Sequence, residues 1–297
     1  MSPQDAKNII IRLTDFKPQT LHLLGSGTDN VAFLVNDSWV FRFAKTEMAR
    51  LGLEKEIKLL PILKKALTLE VPNFNYVGTD NDELMFVGYR TLKGKPLDKR
   101  IFAKLDTSCQ EEILKKLSKF MRQVHDFPID KLLNTGVKIE KFKGAFNEYQ
   151  YDFPEQLKHI LTKEEVFRLG TLFEEYIQSS KSNLEELVLL HADLKPEHIM
   201  FDDKSLQLKG VIDWGDVCIG SPTYDFVSLS QFYSKDFVRR LLNYFPEYQL
   251  SKIFRDIWFL SIVRALQDML IDDEYGDTIA VKTCHEQIKM LLREKQF

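Results

Sequence analysis

The chain lacks any pair of cysteines at the CxxC spacing; its three, Cys109, Cys218 and Cys284, stand far apart among 297 residues. That spacing supplies neither a structural zinc site nor a disulfide framework, and it points to a reducing, cytoplasmic setting. No apolar run approaches the roughly 18 residues that a membrane-spanning helix needs, so no membrane partner is expected. The opening MSPQDAKNIIIRLTDF breaks its short apolar run with Arg12 and Asp15 and does not read as a signal peptide. No basic tract of the kind that follows a phosphodiester backbone occurs, which argues against nucleic acid. Internal repeats and low-complexity linkers are missing too, so a solenoid or a tethered array is excluded.

What the chain has is a globular composition, 44% hydrophobic and 29% charged, long enough for one large domain or two lobes. Its net charge of −3 is unevenly placed. Residues 1–100 hold 15 Lys and Arg against 12 Asp and Glu, and the remainder holds 26 against 32. An acidic second part attracts a cationic ligand, or it is simply the solvated face of helices.

Two styles of patterning divide the chain. Over the first 90 residues or so, short β-rich runs alternate with turns. LHLLGSGTDNVAFLVND reads as two strands around a Gly-rich bend, SWVFRFAK as a third, and NFNYVGTDNDELMFVGYRTL as two more. One helix, over 47–66 with Pro61 near its end, interrupts them. Beyond residue 106 the pattern turns helical, with helices expected near 108–126, 144–161 and 163–181 and again through 221–296. The exception is 187–213, where LVLL, HIMF and GVID are short apolar runs divided by polar loops. A strand-rich part followed by a helical part is α+β architecture, with RTLKGKPL at 90–97 as the expected hinge.

The polar residues of 187–213 suit chemistry. In HADLKPEHIMFD, Asp193 follows an apolar strand, where a carboxylate can take a proton from an attacking hydroxyl. His198 lies five residues on. In VIDWGD, Asp213 ends another apolar run, and a second acid there suits a hard divalent cation.

His191-Ala-Asp193-Leu-Lys-Pro-Glu-His198 followed by Ile212-Asp213-Trp214-Gly215 resembles the catalytic loop and metal-binding motif of the kinase-like phosphotransferases. The order and spacing match the aminoglycoside phosphotransferase family, and within it the 2″ branch, over about residues 21–230 and weakly again at Glu274-Tyr275-Gly276. The resemblance implies a two-lobed protein-kinase-like fold: a small antiparallel β-sheet N-lobe over 1–92 that binds nucleotide, and a larger helical C-lobe over 93–297. It implies that Asp193 is the catalytic base and that Asp213 holds Mg2+. His198 stands where kinases place an Asn metal ligand, as in members of the 2″ branch. ATP or GTP is the implied phosphate donor.

Further roles follow from the same resemblance. Gly25, Ser26, Gly27 and Thr28 resemble the phosphate-covering loop. Arg42 stands where a kinase strand presents Lys, and it can grip phosphate bidentately. Lys45 is the alternative, although strand alternation points it to the opposite face. Glu56 is the expected ion-pair partner of Arg42, with Glu54 as its competitor. Tyr89 would flank the base edge, with backbone groups of Arg90 and Leu92 bonding it. Asp225 resembles the family's structural Asp. Lys195 is similar to the protein-kinase Lys that contacts the transferred phosphate, with a solvent-facing loop residue as the other reading. Asp216, Asp268, Asp272 and Glu274, with Asp273 beside them, are candidates to face the acceptor or to form a solvated helix end.

Asp225 lies only 12 positions beyond Asp213, too few for the activation segment of a protein kinase. A small-molecule kinase acting on a hydroxylated, cationic acceptor is expected, as a monomer. The segment VSLSQFYSKDFV, nearly neutral where the 2″ branch is acidic, leaves macrolides, homoserine, amino alcohols and sugars open beside aminoglycosides. A nucleotide-binding protein without transfer activity is the other class.

Overall fold

The computed structural model describes residues 1–27, 29–81, 83–139, 156–180 and 187–294. They form two compact units: 1–138 with 191–217, and 139–190 with 218–297.

The first unit opens with a helix rather than a strand. Helix α1 (Pro3–Leu13) starts at a capping box in which Ser2 and Asp5 each accept the other's backbone N–H, with Pro3 in the first turn. Ala6 and Ile10, one turn apart, then face the sheet and are fully buried. The β-rich reading of the first residues missed this because the apolar run IIIRL is too short to separate helix from strand by periodicity.

The sheet has five strands, β1 (Leu21–Ser26), β2 (Asn30–Val35), β3 (Trp39–Ala44), β4 (Phe74–Asp80) and β5 (Glu83–Arg90), in the order β1-β2-β3-β5-β4. All its pairings are antiparallel. Alternation along β3 divides its side chains between two layers. Phe41 and Phe43 join Phe33, Phe86 and the α1 residues in one core. On the other face, Leu53 of helix α2 (Glu47–Leu63) packs with Leu84, Val87 and Ala44. Arg42 lies between two Phe residues and so points to the α2 side. Thr46 caps α2 by accepting from the Ala49 N–H, and Pro61 falls in the last turn, so the helix ends short of residue 66.

Helices α3 (Lys99–Lys104) and α4 (Thr107–His125) follow, each capped by an Asp, and α4 lies within a residue of its expected range. A three-stranded sheet joins β6 (Lys95–Pro96) to β8 (Ile199–Asp202) and β9 (Gln207–Val211). The expected hinge therefore contains a strand. Gly94 precedes it with φ +104°, and a Cβ there would lie 2.5 Å from the Phe201 carbonyl oxygen.

The second unit pairs β7 (Val188–Leu190) with β10 (Cys218–Gly220). Among the described residues its helices are α5 (Lys163–Ser180), α6 (Asp225–Phe232), α7 (Lys235–Leu242), α8 (Leu250–Glu274) and α9 (Thr278–Arg293). Phe259 of α8 stacks on Tyr176 of α5 at 3.7 Å, and Trp258 donates its indole N–H to the Leu291 carbonyl. The helix expected over 144–161 falls largely outside the described residues. Among the described residues, no helix is long and apolar enough to cross a membrane.

Candidate active site

The candidate residues that meet do so in the first unit, on three supports: strand β3, helix α2 and the two loops flanking the β8–β9 hairpin. Arg42 sits at the centre. Its Nη1 donates to Glu56 Oε2 at 3.1 Å and its Nη2 to Asp213 Oδ1 at 2.9 Å. The Glu56 side chain is fully buried, whereas 42% of the Asp213 side chain remains exposed. Burial opposes the Arg42 charge, but Glu56 and Asp213 outweigh it and hold the guanidinium firmly protonated. Burial pushes the Glu56 carboxyl above the usual carboxylate range, against the pull of Arg42. The backbone N–H of Trp214 points toward that carboxylate and eases its charge, yet Glu56 Oε1 makes no hydrogen bond of ordinary geometry. Glu54 is not the partner of Arg42 in this arrangement; the ion pair is with Glu56.

His198 links the two aspartates. Its Nδ1 lies 2.9 Å from the Asp193 carbonyl oxygen and 3.4 Å from Asp193 Oδ2, and its Nε2 lies 3.2 Å from Asp213 Oδ2. Burial disfavours its charge, but the Asp213 and Asp193 oxygens raise its pKa overall. Asp213 shows the reverse: burial raises it, and the His198 hydrogen bond with the Arg42 charge pulls it well below the usual range. Lys195 Nζ reaches Asp193 Oδ2 at 2.9 Å. The result is a string of alternating charge, Glu56–Arg42–Asp213–His198–Asp193–Lys195.

The backbone that presents these groups is strained in two places. Ala192 and Asp213 both adopt positive φ, +67° and +64°, and each adjoins or carries a candidate carboxylate. His191, fully buried, ties the two loops together. The Asp193 N–H donates to its Nδ1 at 3.3 Å, so the ring proton sits on Nε2 and is donated to the Ile212 carbonyl at 3.2 Å. Its ring meets Trp214 in a T-shaped contact, and the Trp214 indole N–H donates to the Val211 carbonyl. The sequence contained His191 within the motif, but nothing there distinguished a tie between loops from a reacting group.

The remaining nucleotide candidates are placed as follows. Gly25 and Ser26 end β1 and Gly27 follows it, all in exposed positions, and a Cβ added to Gly25 or Gly27 would meet nothing within 4 Å. Their use here is open space above the backbone rather than a special φ. Thr28 lies outside the described residues. Lys45 Nζ donates to the Gly27 carbonyl at 2.6 Å and contacts Ser26 Oγ at 3.4 Å, away from Glu56. Tyr89, expected beside a base edge, is buried on the Arg42 face of the sheet, with its ring against Phe74 and its phenol, pushed up to about 12 chiefly by burial, facing Arg42. Strand alternation decides this, because register places Val40 opposite it and turns it inward. Arg90 is exposed and lies over the Trp39 ring, and Leu92 covers Gly210.

Of the acceptor candidates, Asp216 is exposed in the first unit, three residues from Asp213. Asp268, Asp272 and Glu274 belong to α8 in the second unit, and several acids there have local partners. Asp268 lies 3.9 Å from Arg264, Asp272 accepts from the Cys284 thiol, and Asp273 pairs with His159 at 2.9 Å. Asp225 is buried at the start of α6.

Asp213 and His198 offer one oxygen and one nitrogen donor on a partly open face. The Nδ1 of His198 is anchored on a backbone carbonyl, so Nε2, which faces Asp213 Oδ2, is the nitrogen that would have to shed its proton to ligate an ion. Among the described residues, no group of three or more His, Cys, Asp or Glu gathers as a metal cage. The pair therefore fits an ion such as Mg2+ that takes most of its oxygens from water and phosphate.

The sequence profile of the phosphotransferase enzyme family matches residues 20–257. The GDP complex of a variant of aminoglycoside 2'-phosphotransferase IIIa superposes with a TM-score of 0.91 at 27% identity, over 98% of this chain and 97% of that one. The GDP and kanamycin complex of APH(2″)-IIIa gives 0.90 at 27% identity, over 97% and 98%. A macrolide 2'-phosphotransferase of type I, 17% identical over 96% of each chain with a TM-score of 0.74, shares the fold. The uncharacterized protein YcbJ of Bacillus subtilis (strain 168) is 32% identical over 59 residues, 20% of this chain and only 19% of that protein's length.

Proposed function

This chain belongs to the phosphotransferase enzyme family, with a kinase-like fold, and from that premise we propose that it transfers the γ-phosphoryl group of ATP or GTP to a hydroxyl of an aminoglycoside. The observation that carries the reading is the meeting of Asp193, His198 and Asp213 beside the Arg42–Glu56 pair. A binding module has no need of two aspartates joined by one imidazole.

In this mechanism the acceptor hydroxyl lies against the Asp193 carboxylate. Its oxygen forms the new bond to the γ-phosphorus as the bond from that phosphorus to the β,γ-bridging oxygen breaks. The hydroxyl proton passes to Asp193, and the bridging oxygen leaves with the nucleoside diphosphate. The loose transition state asks mainly for positioning and charge neutralisation. Arg42 supplies a fixed cation, kept in orientation by Glu56. Lys195, beside Asp193, offers a second cation near the transferred group. Asp213 and His198 would hold Mg2+, which when bound neutralises charge on the phosphate oxygens. The glycines of residues 25–27 give the backbone room to approach those oxygens.

A second acceptor class is favoured by one observation. Asp268, Asp272 and Asp273 have local partners, which weakens the case for a carboxylate nest around a polycation. A less cationic hydroxylated compound, such as a macrolide, an amino alcohol or a sugar, is the alternative acceptor.

The test is nucleotide turnover with Mg2+, measured with ATP and GTP separately across aminoglycosides and the other acceptors, with Asp193→Ala in parallel. Turnover stimulated by an aminoglycoside and lost in the variant is the expected result. Stimulation only by another class moves the acceptor to that class, and near-full turnover by Asp193→Ala removes Asp193 as the base.

A further inference from the structure

Helix α2 does more in this structure than present Glu56. Three residues on one of its faces, Gly52, Lys55 and Glu56, spaced i, i+3 and i+4, address a single short segment, Asp213–Val217. A Cβ on Gly52 would lie 3.7 Å from both the Cα and the carbonyl oxygen of Gly215. Lys55 Nζ donates to the Val217 carbonyl at 2.9 Å. Glu56 reaches the same segment through Arg42, which bonds Asp213. On the segment's side, a Cβ on Gly215 would lie 3.8 Å from both Asp213 Oδ1 and Glu56 Oε1.

These contacts answer two questions that the proposed mechanism leaves open. A glycine inside a helix costs about 1 kcal/mol relative to alanine, so its presence calls for a reason. Close approach sets an upper size at residue 52: an alanine Cβ would already be in van der Waals contact with the Gly215 backbone, and a longer side chain pointing that way would push α2 off it. The second question is what holds Asp213 at a φ of +64°. Upstream, the Ile212 N–H donates to the His198 carbonyl, and within the segment Val217 N–H donates to Trp214. Lys55 adds a tie to the far end of the segment from a separate element.

We propose that Lys55 and Gly52 are positioning residues for the metal-facing carboxylate of Asp213: the helix clamps Asp213–Val217 at its far end and middle, and so sets where the phosphate-bound ion is received. The inference rests on the reading of Asp213 as the residue that would hold Mg2+ with the nucleotide. Lys55 and Gly52 address the Asp213–Val217 backbone and so act through that segment.

The experiment measures binding of non-hydrolysable ATP and GTP analogues by calorimetry, with Mg2+ and with EDTA, in the full chain. The readout is the ratio of the two dissociation constants. Lys55→Met is expected to lower the Mg2+ enhancement by about tenfold, the low end for one lost hydrogen bond to a charged group, with affinity in EDTA moving less than about twofold. Gly52→Leu should do the same, whereas Gly52→Ala and Lys55→Arg keep the enhancement. Hydrogen exchange over 212–217 should quicken in Lys55→Met. An unchanged ratio in Lys55→Met, or an equal loss with and without Mg2+, overturns the inference and leaves Lys55 a general fold contact. A wild-type protein that binds nucleotide without any Mg2+ enhancement overturns the reading of Asp213 itself, a distinct outcome.

Discussion

His198 and Asp213 meet at 3.2 Å, Nε2 to Oδ2, while the other ring nitrogen of His198 is held 2.9 Å from the Asp193 carbonyl. With an oxygen at each nitrogen, the ring favours its protonated form. The sign of the pH dependence follows. Asp213 has a lowered folded pKa, so its contribution to stability is present above the ordinary carboxylate value and is lost as pH falls through the folded one. His198 has a raised folded pKa, so its contribution is full below the ordinary imidazole value and is lost as pH rises through the folded one. In metal-free protein the Tm advantage of wild type over His198→Asn should therefore be largest between about pH 4 and 6.5. A gap constant from acid to alkaline pH would rule out the charge pairing as its source.

Arg42 neutralises a carboxylate that is fully buried, that of Glu56. Arg42→Met leaves Glu56 buried and unpaired, and denaturant unfolding should show a loss of about 3–5 kcal/mol. Adding Glu56→Gln should recover a large part of that, because the stranded charge is gone. Arg42→Lys should fall between, since one ammonium does not span two carboxylates as a guanidinium does. Recovery of stability in the double variant without recovery of turnover would separate the fold role of the pair from its phosphate role.

Gly94 has a backbone reason to be glycine, and Gly27 has none in this structure. At Gly94 both the φ of +104° and the nearby Phe201 carbonyl oppose a side chain, while a Cβ on Gly27 meets open space. Gly94→Ala should cost about 1–3 kcal/mol, and Gly27→Ala should lie within about 0.5 kcal/mol. If Gly27→Ala keeps stability and raises the KM for nucleotide, the open space is there for a ligand.

Asp273 pairs with His159 within the second unit. Asp273→Asn is expected to lower Tm slightly, as exposed pairs contribute about 0–1 kcal/mol, and to leave acceptor KM unchanged. A raised acceptor KM at constant Tm would instead assign this acid to the substrate and restore the case for a polycationic acceptor.

The sequence by itself carried the pattern that short-range physics enforces. The strands of the sheet, α2, α4 and α5 follow from hydrophobic period and turn residues, and the order HADLKPEH then IDWG pointed to Asp193, His198 and Asp213. Alternation along VFRFAK also placed Arg42 and Lys45 on different faces, and the structure puts Arg42 on Glu56 and Lys45 on the Gly27 carbonyl. Tertiary structure decided the rest. It turned Tyr89 inward to Arg42, made His191 a tie between two loops, gave the late acids local partners, and seated Gly52 and Lys55 on Asp213–Val217. Each of these depends on which element packs against which, often between residues far apart in the chain, and on what remains exposed once packed. Periodicity says which face of an element is buried; only the packed chain says what that face meets.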